Sequence, residues 1–147
     1  MSYSDDNFAK ELILDHYQDP RGKGIPKEGY ETVTLKNVSC GDIISVGAKK
    51  DNEIIEDIRH EGTGCSICCA SASMMCELLK GKSTTEALKS AHEFSKMMTR
   101  QKFDPEILGD AYALEGINKL LPRIKCATLA WNAAKQLLGE QGDQCDE

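Results

Sequence analysis

The stretch ETVTLKNVSCGDIISVGAKKDNEIIEDIRHEG, residues 31–62, predicts the fold of this chain. Apolar residues alternate with polar ones in three successive runs, as they do in strands with one buried face. The inward residues are Val33 and Leu35, then Ile44, Val46 and Ala48, and less cleanly Ile54 and Ile58. Turn residues separate the runs, and Asp51-Asn52 suits a hairpin. The stretch therefore predicts a three-stranded antiparallel sheet.

Helical periodicity flanks the predicted sheet on both sides. Helices are predicted over residues 5–18, 66–80, 84–98 and about 123–138, with a shorter helix opening at Asp104-Pro105. The first helix places Phe8, Leu12, Ile13 and Tyr17 on one face. Strands followed by helices predict an α+β fold, with the helices packed on one face of a small sheet. We expect residues 1–147 to form a single domain with a frayed acidic tail at about 139–147.

The composition narrows the choice of partners and compartment. The chain has 147 residues, 29% of them charged and 40% hydrophobic, which is ordinary for one globular domain. A net charge of −6 argues against nucleic acid and against an anionic membrane as partners. The N-terminus is acidic and amphipathic, and no apolar stretch is long enough to span a bilayer. These features predict a cytoplasmic protein without a signal peptide.

Seven cysteines are many for a cytoplasmic chain, and their odd number excludes a complete disulfide framework. Three of them occupy similar places. Cys40 lies in the predicted turn between the first two strands, Cys65 lies at the start of the long helix, and Cys126 lies in the first turn of the last helix. Free N–H groups near helix N-termini favour thiolates at Cys65 and Cys126. Together with Asp42 they would make a four-ligand set of the kind that zinc accepts. Spacing alone gives equal weight to the plainer alternative, in which Asp42 caps a turn and Cys40 is a buried apolar residue.

The other cysteines have a different setting. Cys65 and Cys68 form a C-x-x-C pair with Cys69 beside it, which fits a redox pair or half of a metal site. No thioredoxin-like frame surrounds the pair, and Ala and Ser neighbours favour core positions for Cys68, Cys69 and Cys76. Cys145 lies in the tail and is given no role. The three histidines, His16, His60 and His92, follow no ligand spacing and are interpreted as packing or surface residues.

Four motifs together resemble one known family. They are DHYQDPRGKG at 15–24, SCGD at 39–42, GTGCSICCASASMM at 62–75 and LPRIKCATLAW at 121–131. They resemble the IscU/NifU N-terminal family of iron–sulfur cluster assembly proteins over about residues 8–138. The SufU branch is the more similar one. The segment between Cys65 and Cys126, residues 66–125, is longer than in the scaffold-type IscU branch. Lys125 stands where that branch carries a histidine.

The resemblance implies a zinc site formed by Cys40, Asp42, Cys65 and Cys126. It implies that Cys40 accepts persulfide sulfur from a PLP-dependent cysteine desulfurase of the SufS type, for the downstream cluster-assembly machinery. Lys125, in its charged form, is no soft ligand for a cluster. Arg123 and Lys125 are therefore interpreted only as auxiliary residues, with Arg123 near the released Cys40 thiolate.

Two alternatives stay open at this point. The same cysteines would suit a scaffold that binds iron and assembles a [2Fe–2S] cluster. A zinc-stabilised adaptor that activates the desulfurase without carrying sulfur would need the same ligands.

Overall fold

Three strands form one antiparallel sheet in the order β1, β2, β3, as predicted. The computed structural model describes residues 6–139, so most of the predicted frayed tail, with Cys145, lies outside the described residues. The elements are α1 (Asp6–Gln18), β1 (Glu31–Asn37), β2 (Asp42–Asp51), β3 (Ile54–Thr63), α2 (Ser66–Leu79), α3 (Thr84–Met98), 3-10 helices at Pro105–Ile107 and Gly109–Lys119, and α4 (Leu121–Leu137).

The β1–β2 pair has a regular register that follows the predicted alternation. Leu35 pairs with Ile44, and Asn37 pairs with Asp42 at the turn end of the ladder. Ile44, Val46 and Ala48 are all buried, because this face of β2 lies under the helices. The inner face therefore leads directly from the apolar core to Asp42, which is 1% exposed.

The β2–β3 pair departs from simple alternation. Its register shifts between Lys49 and Lys50, and Glu56 becomes the extra residue of a β-bulge. The bulge reverses the side-chain phase, so Ile55 is buried while Ile54 is 43% exposed. The prediction that Ile54 faces the core is therefore wrong, whereas Ile58 is buried as expected.

The helices supply the rest of the core. Helix α4 packs on β1 and β2, and α2 packs between α1, α4 and β3. The rings of Phe94 on α3 and Trp131 on α4 stack with centroids 4.2 Å apart. The Trp131 indole N–H donates to Ser71 Oγ at 2.9 Å, which satisfies the polar atom of this buried ring. The α+β prediction is confirmed. The elements that carry the cysteines pack on the same apolar core as the sheet.

Two helical predictions need correction. In α1, Tyr17 is 47% exposed, and its neighbour His16 is the fully buried side chain. The helix predicted from Asp104 is instead a pair of 3-10 helices, interrupted where Gly109 adopts a φ of +54°. Leu108 and Leu114 are nevertheless buried. The apolar pattern of this segment therefore predicted the buried residues correctly, although the type of helix was wrong.

Across residues 6–139, no helix combines the length and the apolar character that a bilayer span requires.

Candidate metal centre

The turn between β1 and β2 holds the first candidate ligand. The carbonyl oxygen of Asn37 accepts hydrogen bonds from the amides of Cys40 (3.2 Å) and Gly41 (2.9 Å). Gly41 adopts a φ of +75°, a conformation that glycine adopts without strain. This tight turn presents Cys40 at the surface as an exposed free thiol and places Asp42 two residues later in the buried start of β2.

Three of the four predicted ligands come together. One ligand atom from each of Cys40, Asp42 and Cys126 lies within 4.8 Å of the other two. Asp42 and Cys126 are almost completely buried, at 1% and 0% exposure. Two thiols and a carboxylate are donors that zinc accepts, so the residues present fit a tetrahedral site with room for a further ligand.

The carboxylate of Asp42 is fixed by donors on both sides. Its Oδ1 accepts the backbone N–H of Cys65 at 3.1 Å, and its Oδ2 accepts the side-chain amide of Asn37 at 3.2 Å. Gly64 leaves room for this arrangement, because a Cβ there would lie 2.9 Å from Oδ1. Asp42 is therefore oriented by the protein itself.

Cys65 is the fourth predicted ligand and stands slightly apart. It is the N-cap residue of α2, is half-buried, and makes no capping hydrogen bond with its side chain. It does not belong to the group within 4.8 Å, but its thiol lies close enough to Cys126 to raise the pKa of that neighbour. Cys65 therefore lies at the start of α2, where the sequence placed it.

Cys126 lies in the second turn of α4, since the helix begins at Leu121. The prediction that it lies in the first turn, with free amides around it, is therefore wrong. Burial is the largest cause that raises the pKa of its thiol well above the usual range, and Asp42, Cys40 and Cys65 act in the same direction. The three thiols and the Asp42 carboxyl are acidic groups that lie close together in a partly buried site. When ionised, they would repel one another, so the site favours a cation.

Of the two predicted auxiliary residues, only Arg123 is oriented toward the cluster. Its Nη1 lies 3.9 Å from Cys126 Sγ, and the Cys126 thiolate is the main cause that raises the pKa of the guanidinium, followed by Cys65. Arg123 itself is exposed to solvent. Lys125 is also exposed, and among residues 6–139 no hydrogen bond or ion pair joins its side chain to the cluster.

The C-x-x-C neighbours divide into two kinds. Cys68 and Cys76 are buried at 0% and 2% exposure, and burial raises the pKa of both thiols far above their ordinary value. Cys69 is half-buried, and its Sγ faces the carbonyl of Gly64 at 3.6 Å. Cys68 and Cys76 are therefore core residues, as predicted. The predicted core position is wrong for Cys69, which is half-buried and lies one helical turn from Cys65.

A second cluster, of His16, Glu77 and Asp110, joins helices rather than marking a reaction site. The Nε2 of His16 lies 2.9 Å from Asp110 and 3.5 Å from Glu77, while its Nδ1 meets Ser73 Oγ at 2.7 Å. Arg21 also faces Glu77, at 3.8 Å. These mutual contacts satisfy the buried histidine, and they tie α1 to α2 and to the second 3-10 helix.

Sequence reasoning missed Asn37, whose amide reaches both Asp42 and Cys126. A signal was available, because Asn37 continues the inward phase of Val33 and Leu35 and so places a polar side chain on the buried face. Its 6% exposure agrees with that phase.

Comparison with known proteins supports the motifs. The NifU-like N terminal domain family matches residues 8–136. The chain is 45% identical over 132 residues to the zinc-dependent sulfurtransferase SufU of Bacillus subtilis (strain 168), covering 89% of each protein. It is 44% identical over 128 residues to the iron–sulfur cluster assembly scaffold protein IscU of Streptococcus pyogenes serotype M1, covering 86% of this chain and 80% of that protein.

A solved structure is similar to this chain in both sequence and fold. It is described as an iron–sulfur cluster assembly scaffold protein for the SUF system of Fervidobacterium islandicum AW-1, and it matches with a TM-score of 0.77 at 32% identity. The match covers 87% of this chain and 94% of that one. With the family match spanning all three cysteine motifs and the same fold beneath them, the chain belongs to the IscU/NifU N-terminal family.

Proposed function

We propose that this protein is a zinc-dependent sulfurtransferase that accepts persulfide sulfur from a PLP-dependent cysteine desulfurase of the SufS type. One observation carries the proposal: an exposed thiol, Cys40, lies within 4.8 Å of the ligand atoms of buried Asp42 and Cys126. The relative named as a zinc-dependent sulfurtransferase supports the same assignment.

Cys40, Asp42, Cys65 and Cys126 would hold the zinc. The bound ion keeps thiolates deprotonated and protects them from oxidation. Asp42 and Cys126 are buried and receive hydrogen bonds from neighbouring groups, so they form the fixed part of the site. Cys40 lies in a surface turn, and it is the ligand best placed to be released to a partner.

The sulfur transfer is a thiol–persulfide exchange at Cys40. The Cys40 thiolate attacks the outer sulfur of the desulfurase persulfide, and a new S–S bond forms. The S–S bond of the donor breaks, and its electron pair remains on the desulfurase cysteine, which leaves as a thiolate. No net oxidant or reductant is needed. Arg123, exposed beside the cysteines, would stabilise the negative charge of the attacking thiolate.

The surface around the turn supports docking of a protein rather than of a small molecule. Val38, in the same turn as Cys40, is 89% exposed, and Leu121, at the start of the helix that carries Cys126, is 69% exposed. Apolar side chains this exposed beside a reactive thiol are suited to a protein interface. The odd number of cysteines is incompatible with a complete disulfide framework, and we propose that the protein acts in the reducing cytoplasm, upstream of the cluster-assembly machinery.

The chemistry beside Cys126 favours sulfur transfer over cluster scaffolding. Lys125 precedes Cys126 and carries a charged ammonium, which is not a ligand for iron. The scaffold alternative is favoured by the 44% identity to a protein named as a scaffold and by the solved structure from Fervidobacterium islandicum AW-1, which is also described as a scaffold protein.

The test is sulfur acceptance by the freshly purified chain, whose metal content and visible spectrum are recorded first. The protein is mixed with the desulfurase and L-cysteine, and persulfide is mapped by mass spectrometry. We expect a colourless zinc protein that gains its persulfide on Cys40. Cys40→Ala should bind the desulfurase without accepting sulfur or raising turnover, and Asp42→Ala should lower both zinc retention and transfer.

Cys69→Ala is the matched control, since it removes a half-buried thiol beside the site and should accept sulfur normally. A brown protein with iron and sulfide would establish the scaffold function instead. Full stimulation of the desulfurase by Cys40→Ala would leave only the role of a non-catalytic activator. Persulfide appearing first on Cys65 or Cys126 would refute the role given to Cys40.

A further inference from the structure

Asn37 touches three of the four proposed ligands. Its side-chain Nδ2 donates to Asp42 Oδ2 at 3.2 Å and to Cys126 Sγ at 3.6 Å. Its carbonyl oxygen accepts the backbone amide of Cys40 at 3.2 Å. One residue therefore links the turn, the first residue of β2 and the second turn of α4.

The place of Asn37 in the sheet explains how it reaches both side chains. It is the last residue of β1, its side chain is 6% exposed, and it pairs directly with Asp42 across the ladder. A buried amide costs free energy unless its donors find acceptors. The two N–H donors meet a carboxylate and a thiol, which are the acceptors that gain most when they are ionised.

We propose that Asn37 is the positioning residue of the metal centre: its amide orients Asp42 and Cys126, while the thiol of Cys40 is left to exchange. The inference rests on the proposed zinc-dependent function. Hydrogen bonds to metal ligands fix their orientation and modulate the charge that they donate to the ion. Asparagine suits this position because its amide supplies two donors, whereas an aspartate would add a further negative charge and no donor.

A purely structural role makes a different prediction. The carbonyl that closes the turn belongs to the backbone, so it survives any side-chain substitution at Asn37. If the side chain only filled space, leucine, which has the same branched arrangement of side-chain heavy atoms, would replace it without changing the metal site. If the amide positions the ligands, leucine would preserve the fold and weaken the site.

The experiment compares zinc retention of the wild type, Asn37→Leu and Asn37→Ala in competition with a chromogenic chelator. From the usual effect of removing a hydrogen bond to a metal ligand, we expect both variants to hold zinc about 10- to 100-fold more weakly. The second readout is the thiolate-to-metal charge-transfer band of the cobalt-substituted proteins. This band should shift in both variants, because Cys126 loses a hydrogen-bond donor.

Asn118→Leu is the matched control. The Asn118 amide donates to the carbonyl of Met97 at 2.9 Å, and within residues 6–139 its side chain makes no hydrogen bond to a proposed ligand, so its loss tests a missing hydrogen bond without touching the site. Its zinc retention and cobalt spectrum should equal those of the wild type. Melting curves of the metal-free proteins establish whether each variant folds. If Asn37→Leu does not fold, the comparison is made with Asn37→Ala alone.

The outcomes separate this inference from the function on which it rests. A wild-type protein that holds no zinc overturns the proposed function itself. A zinc-binding wild type whose Asn37 variants keep the same retention and the same cobalt band overturns only the positioning role. Weakened retention with an unchanged band in both variants also overturns it, since that result indicates a general loosening of the fold.

Discussion

The backbone N–H of Cys65 donates a 3.1 Å hydrogen bond to Oδ1 of Asp42. This contact ties the N-cap of α2 to the first residue of β2, and both of these residues are proposed ligands. Because the donor is a main-chain amide, it is present whether or not a metal is bound. The site is thus partly organised by the protein alone, which bears on the effect of metal removal.

Removing zinc should lower the melting temperature without unfolding the protein. Zinc that binds the folded state and hardly the unfolded one stabilises by about 2.7 kcal/mol at a free concentration 100 times its Kd. The Phe94–Trp131 core does not depend on the site, so the metal-free chain should remain folded. Calorimetry with and without a strong chelator measures the shift. An unchanged midpoint after verified zinc removal would rule out a stabilising site.

The cysteines should separate into ligands and bystanders. Cys65→Ser and Cys126→Ser should lose most of the zinc, and the serine at 65 keeps the amide that holds Asp42, so the loss reports the thiolate alone. Cys69→Ala should retain the metal. Cys68→Ala should retain it too, at a packing cost of about 1 kcal/mol because its side chain is fully buried. Zinc analysis and thermal melts measure both effects.

If Cys68 or Cys69 proves necessary for zinc binding while Cys126 does not, the C-x-x-C motif is part of the metal site after all. The same variants of Cys76 and Cys145 should bind zinc normally, although Cys145 lies outside the described residues.

Gly64→Ala should disturb the site through sterics. The added Cβ would lie 2.9 Å from Asp42 Oδ1 and 3.0 Å from Cys68 Sγ, so the carboxylate must move. Overpacking of this kind costs about 1–3 kcal/mol. We expect reduced stability together with weaker zinc retention. Gly116→Ala is the matched control, because nothing lies within 4 Å of its added Cβ. Equal zinc retention in the two alanine variants would contradict the steric argument.

His60 should make stability depend on pH. The side chain is 4% exposed, and burial lowers its pKa below the ordinary value of 6.5, despite the hydrogen bond from its Nε2 to the Arg21 carbonyl. Below pH 6.5, His60 is protonated in the unfolded state and still neutral in the folded state. The free energy of unfolding therefore falls as the pH drops from 6.5 to the pKa of His60 in the folded state. The loss is about 1.4 kcal/mol for each pH unit of that window.

The measurement compares denaturant unfolding of the wild type and His60→Gln between pH 7 and pH 5. Both proteins are treated with chelator, because acid also releases zinc from thiolates. The glutamine keeps an N–H donor and does not titrate, so its unfolding free energy should decline less on acidification. Identical slopes for the two proteins would show that His60 is not the source of the pH dependence.

The sequence patterns located the secondary structure well where a single periodicity operates. Helix α3 has the predicted bounds because Ser83 and Glu86 form a capping box that local sequence encodes. The errors arise where tertiary contacts decide. The bulge at Glu56 exchanges the faces of Ile54 and Ile55, and no local pattern marks its position. His16 is buried because partners far along the chain, Ser73 and Asp110, satisfy its ring.

The candidate site was predictable in its members and unpredictable in its geometry. The motifs identify Cys40, Asp42 and Cys126, which the fold brings within 4.8 Å. Neither the slight separation of Cys65 nor the position of Cys126 in the second turn of its helix follows from spacing. Both depend on where α2 and α4 begin, and the N-cap residues of these helices, Cys65 and Leu120, make no side-chain capping hydrogen bond that would mark the start as Ser83 marks that of α3.

The pairing of Asn37 with Asp42 at the end of the β1–β2 ladder has a consequence for folding. Successive side chains of a strand point to opposite faces, so a slip of one residue would turn every inward side chain of β1 toward water. In such a slipped hairpin Asn37 would point away from Asp42, and the hydrogen bonds from its amide to Asp42 and Cys126 would be lost. Under the proposed zinc function, zinc loading would therefore discriminate between the native strand register and its nearest competitors, and metal content would measure how faithfully the hairpin has folded.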